Sequence, residues 1–202
     1  MSKVKFVLVF VFLTLFLLGV SATPEVSAQE PDQTTVLNLI QELDEAGNDA
    51  EKVFSQLSPE EQKAVIEALQ VAYVSIEMVE KEMAPMQSCG CDEKGIIAKG
   101  YNGVGVHLWS YKQQLNWCFD GTNVTSKSRS RWGEVYAPLW QWAGHVGSSE
   151  SGGVGQTYYK VRTHGEFKLC LGGDIGCIQY AYPWVEQKGY GDGWYEWWIG
   201  GL

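Results

Sequence analysis

The chain has 202 residues, with 24 Asp and Glu against 15 Lys and Arg, for a formal net charge of −9. Phosphate binding needs a basic surface, so this balance argues against a nucleic-acid partner. All nine tryptophans lie between Trp109 and Trp198, and 20 of the 23 glycines follow Lys94.

Residues 1–28 read as a secretory signal peptide. Lys3 and Lys5 precede an apolar run from Phe6 to Val20, and Val26-Ser27-Ala28 is a small-residue cleavage pattern. The run is short against the ~20 residues that span a bilayer, and no later segment is long enough to form a transmembrane span in the mature chain. A secreted or extracellular location follows as an expectation.

Residues 29–85 are expected to form an acidic helical segment. Val36, Leu37, Leu39, Ile40 and Leu43 recur at helical spacing, with Gly47 as a stop. A short helix is expected over Asp49–Gln56. Ser58, Pro59 and Glu61 form a helix start with a capping box. Ile66, Leu69, Tyr73, Ile76, Val79 and Met83 follow every three or four residues, so the pattern predicts a helix running to Pro85. From Thr34 to Pro85 there are eleven Asp and Glu against three Lys, so most of the negative charge lies here.

Residues 86–94 read as a cysteine-containing linker. Residues 95–202 are expected to form an aromatic-rich antiparallel β domain, because short runs alternate with period two between glycine turns. Val104, Val106 and Leu108 share one face of the first strand. Leu115, Trp117 and Phe119 share a face farther on. Further strands are expected at Val124–Arg131, Tyr136–Val146, Thr157–Thr163, Glu166–Leu171 and Ile178–Tyr182. A last hairpin joins Trp184–Gln187 to Trp194–Ile199. The fold class is therefore α+β by segregation, an N-terminal helical segment followed by an all-β sandwich or barrel-like domain.

Five cysteines in an oxidising compartment imply disulfides. Cys170 and Cys177 flank a turn-rich stretch and are expected to pair. Cys118 is expected to pair with Cys89 or Cys91, with Cys89 taken as its partner, which leaves one thiol over.

The aromatic side chains are the leading functional signal. Large rings are ordinary core material, but rings on a strand's outer face can stack on a ligand. Trp140 and Trp142 share one strand face. Trp194 and Trp198 share another, with Trp197 on the opposite side of that strand. Arg129 and Arg131 join Lys127 in a cationic row, readable as a charged edge strand, an anion-binding row or a dock for the acidic helices. The binding candidates are thus Trp140, Trp142, Trp194, Trp197, Trp198, Arg129 and Arg131.

No catalytic motif is present, and no spacing pairs Asp120, Glu134, Glu166 or Glu186 as an acid–base couple. Neither His145 nor His164 belongs to a metal or triad pattern, so no catalytic residue, metal or cofactor is expected.

Trp117-Cys118-Phe119-Asp120-Gly121, Ser128-Arg129-Ser130-Arg131-Trp132, Cys170, Cys177 and Tyr182-Pro183-Trp184 carry a resemblance. From about Gly100 onward the chain resembles secreted, cysteine-paired β-domain proteins of bacteria. That resemblance implies secretion and a β fold, and no activity or site residue. The expected role is non-catalytic binding of carbohydrate, cell-wall polymer or another protein. The alternatives are a secreted glycan hydrolase and a structural protein that self-associates through Ile66, Leu69, Ile76 and Met83.

Overall fold

The computed structural model describes residues 30–80, 90–172 and 176–201. The expected signal peptide, Met83 and Cys89 lie outside these residues. Three helices lead: α1 (Gln33–Ala46), α2 (Ala50–Gln56) and α3 (Pro59–Leu69). Nine strands follow: β1 (Tyr73–Glu80), β2 (Gly90–Tyr101), β3 (His107–Phe119), β4 (Val124–Val135), β5 (Trp140–Gly152), β6 (Tyr158–Cys170), β7 (Cys177–Ala181), β8 (Trp184–Tyr190) and β9 (Tyr195–Gly200). They form two antiparallel sheets. Sheet A has the order β1-β2-β3-β4, and sheet B has the order β5-β6-β8-β9, with β7 beside β6. The two sheets face each other as a β-sandwich. The segregated α+β reading therefore holds.

The helix starts obey local chemistry. Asp32 accepts a hydrogen bond from the Thr35 amide, and Ser58 and Glu61 form the reciprocal capping box. Gly47 ends α1 with a positive φ of 53°.

The predicted helix to Pro85 is corrected. It stops at Leu69, and Tyr73–Glu80 is strand β1, paired along its length with β2. Val71, Tyr73, Val74, Ile76 and Val79 are β-branched or aromatic and suit a pleated sheet. The last carbonyls of α3 are met by side chains from far along the chain. Asn102 Nδ2 donates to Ala68 O at 2.6 Å, and Trp140 Nε1 donates to Leu69 O at 2.9 Å. These contacts replace the local stop signal that a helix end otherwise needs. Of the residues named for self-association, Leu69 is buried and Ile66 packs against the core, while Ile76 lies exposed in β1.

Four more boundaries move. Gly90–Lys94, read as linker, opens β2. Val104 and Val106 lie in a turn held by Asn102, whose Oδ1 accepts from both of their amides, so the strand begins at His107. The strand expected from Tyr136 begins at Trp140, after Leu139 with its positive φ of 64°. The two strands expected over 157–171 are one, β6, running straight through Gly165.

Cys170 pairs with Cys177. Cys118 pairs with Cys91, not with Cys89, because Cys91 stands directly opposite Cys118 in the β2–β3 register.

The core explains why glycine and tryptophan are enriched together. Rings from one strand lie over glycines on another. Trp142 covers Gly133, Trp117 covers Gly189, Trp109 covers Gly100, and Tyr111 with Trp142 covers Gly165. A Cβ at any of these glycines would enter ring density. The helices join the same core, since Leu43, Phe54, Val65 and Leu69 cluster with Leu139, Trp140, Leu171 and Ala181. Between the sheets runs a buried polar chain. Tyr111 donates to Thr163 at 2.8 Å, Thr163 donates to Gln113, Gln113 donates to Gln187 at 2.9 Å, and Gln187 donates to Lys94 O at 3.0 Å. Every link is satisfied, which is what makes polar groups tolerable at that depth.

Candidate functional site

Strand phase sorts the aromatic side chains between inside and outside. Trp140 is buried against α3. Trp142 is half-buried, with its ring 4.7 Å from that of Phe167. Trp197 packs against the core. Of the five tryptophans singled out, Trp194 and Trp198 stand exposed, at 62% and 42%. Sequence phase placed Trp197 opposite these two correctly. It could not say which side faced the core, because both sides are apolar.

The cationic row stitches the sandwich along its edge. Lys127 and Arg129 meet Glu150 of β5 at 2.9 and 2.7 Å, and Arg131 donates to Gly147 O at 2.9 Å. Lys127 also lies over the Tyr159 ring of β6 at 4.2 Å, so the described partners of the row lie on sheet B, not on the acidic helices. Hydrogen bonds from Arg129 and Lys127 pull the Glu150 carboxyl down to about 2. Burial, with Glu150 beside it, pushes the Tyr159 hydroxyl up to about 12.

The outer face of sheet B carries what sequence reasoning had not assembled. On β6, Tyr158, Lys160 and Arg162 stand opposite Tyr190, Lys188 and Glu186 of β8; on β9, Glu196 and Trp198 stand opposite Lys188 and Glu186. Trp184 lies over Gly200, with the Arg162 guanidinium 3.7 Å from its ring centre. Lys188 sits 4.7 Å from the Tyr158 ring centre and 4.2 Å from that of Tyr190. The Tyr190 hydroxyl donates to Glu196 at 2.7 Å. Glu186 pairs with Lys160 at 3.6 Å and with Arg162 at 4.0 Å. Toward the helical end, Tyr180 and Tyr182 hold parallel rings 6.4 Å apart, both exposed, beside the Lys168–Glu166 pair. The available signal was period two over Tyr158–Arg162 and Trp184–Tyr190, where rings and charges occupy the same alternate positions.

Sheet A shows a smaller outer ring row. Tyr73, Tyr101, His107 and Tyr136 stack across it with centroid steps of 5.2, 5.0 and 4.1 Å. His107 Nε2 lies 3.1 Å from Trp109 O and 2.9 Å from Ser110 Oγ.

The four carboxylates weighed for acid–base work have other partners. Glu134 pairs with Lys112 and Tyr136, Glu166 with Lys168, and Glu186 with Lys160, while Asp120 accepts the Thr122 and Asn123 amides. Among the described residues, no group of three or more His, Cys, Asp or Glu is placed to hold a metal ion.

Burial holds all three histidines, His107, His145 and His164, below the ordinary imidazole value. Between pH 7 and 5 the unfolded chain therefore takes up these protons before the folded one does, and stability is lost as pH falls. The lowered carboxylates respond only below about pH 4.5. Thermal unfolding from pH 7 to 5 should show a steeper loss for this chain than for a variant with all three histidines changed to Gln. Equal slopes would refute the assignment.

Comparison with protein-family models, curated proteins and solved structures yields no match.

Proposed function

We propose that this protein is a non-catalytic binding module acting outside the cell, and that the outer face of sheet B is its ligand surface. The observation that carries this reading is the set of exposed rings on or beside the strands of sheet B, Trp194 and Trp198 at β9 and Tyr180 and Tyr182 at β7. Outward rings on a sheet face can stack on a ligand. Two disulfides fit an oxidising compartment, and among the described residues no helix is long and apolar enough to cross a membrane. The Phe6–Val20 apolar run supports the same location.

The test is retention on insoluble bacterial cell wall, cellulose and chitin. The Trp194→Ala/Trp198→Ala double variant should lose retention about tenfold, equivalent to about 1.4 kcal/mol, with its melting temperature unchanged. If Tyr73→Ala/Tyr136→Ala abolished retention instead, the ligand surface would belong to sheet A. Release of reducing sugar that is lost on Glu134→Gln or Glu166→Gln would replace the reading with a hydrolase.

A further inference from the structure

We infer that the ligand of this face is an uncharged polysaccharide. The inference rests on the binding reading above and adds the chemical class. Its warrant is the charge arrangement around the rings. Four cations and three carboxylates share the outer face, and opposite charges or ring faces stand beside each cation. Lys160 pairs with Glu186 and Lys168 with Glu166, while the Arg162 guanidinium lies over the Trp184 ring, 4.0 Å from Glu186 and with its buried Nε making no hydrogen bond. Lys188 donates to the Tyr190 hydroxyl at 2.6 Å, and that hydroxyl is tied to Glu196. An anionic polymer would have to break these pairs, and it would gain little from a face whose charges nearly cancel. Polyanion sites instead present unopposed cations.

A protein partner fits poorly for a different reason. The buried centre of a protein interface is depleted of charge. Here Glu186, Lys188 and Glu196 stand among Trp184, Tyr190 and Trp198, so charge interrupts the apolar surface of β8 and β9.

A pyranose chain fits both features. Its C–H faces stack on rings, and its hydroxyls donate hydrogen bonds to Glu carboxylates and accept them from Arg and Lys heads at the ring edges. The β5 side of the face is lined by Gly147, Ser149 and Ser151, which stand opposite His164, Arg162 and Lys160 and keep that flank low. Four strands at about 4.8 Å spacing span roughly 14 Å, enough for a few consecutive sugar rings.

The experiment is affinity electrophoresis of the full chain through gels cast with hydroxyethylcellulose, galactomannan, arabinoxylan or β-glucan, and in parallel with hyaluronan, heparin or polygalacturonate. At least one neutral polymer should retard the chain, equally at 0.05 and 0.5 M salt (roughly a threefold change in screening length). Trp198→Ala and Tyr180→Ala should each weaken this retardation at least fivefold without changing the circular dichroism. Retardation by polyanions alone, or by no neutral polymer in the panel, overturns the inference. In the first case, loss of retardation in Trp198→Ala would leave the face as the ligand surface with the wrong ligand class. Retardation by a neutral polymer that ignores both substitutions would keep the class and overturn the face.

Discussion

Replacing Trp140 by alanine should lower stability by about 3–5 kcal/mol, the usual cost of emptying a fully buried large aromatic site. For a chain of this size that is a fall in melting temperature of roughly 10 °C or more. Two losses combine. The ring sits where α3, Leu139 and Leu171 meet, so its removal opens a cavity between the helices and the sandwich. Its Nε1 also satisfies the Leu69 carbonyl, one of the orphan acceptors at the end of α3. Trp140→Phe separates the two contributions. It keeps most of the packing and should cost nearer ~1 kcal/mol, the net worth of one buried hydrogen bond. Limited proteolysis should cut the helical segment of Trp140→Ala first. A Trp140→Ala variant that melts within roughly 2–3 °C of the parent would show that the helices do not depend on this anchor.

Gly189→Ala should also be clearly destabilising, although it adds only a methyl group. The new Cβ would stand 2.5 Å from a carbon of the Trp117 ring. That ring is fully buried, and its Nε1 is fixed to Tyr190 O at 3.0 Å. It cannot swing away without giving up this bond. Overpacking of this kind costs about 1–3 kcal/mol and sometimes more. The same change at Gly103, where a Cβ would meet nothing within 4 Å, should have little effect. A double-mutant cycle with Trp117→Leu gives the decisive comparison by chemical denaturation. Gly189→Ala should cost much less when combined with Trp117→Leu, because the atoms it strikes are gone. An unchanged cost would place the penalty in the backbone.

These two sites show where the sequence was readable and where it was not. The start of α3 was legible because Ser58, Pro59 and Glu61 act within four residues of one another. Its end was not, because the groups that stop it are Asn102 and Trp140. The 3–4 spacing of Ile66, Leu69, Tyr73 and Ile76 fits a helix, while Tyr73–Glu80 also meets the needs of a strand once β2 is beside it. Strand phase separated Trp197 from Trp194 and Trp198 because side-chain alternation is a local property. Trp140 and Trp142 shared a face as expected, but that face was the interior. The cationic row was visible in Lys127, Arg129 and Arg131, whereas its partner Glu150 lies on another strand. On the outer face of sheet B, Trp194 and Trp198 were legible from strand phase, whereas their neighbours on β6, β7 and β8 were not, because only sheet order brings those strands together.

The tryptophans divide into a structural set packed in the core and an outward set on sheet B. Residue-resolved oxidative footprinting of the native chain measures this division directly. Trp194 and Trp198 should be modified first, Trp132, Trp142, Trp184 and Trp197 more slowly, and Trp109, Trp117 and Trp140 last. Early modification of Trp109 or Trp117, or protection of Trp194 and Trp198 to the same degree as Trp140, would contradict the account.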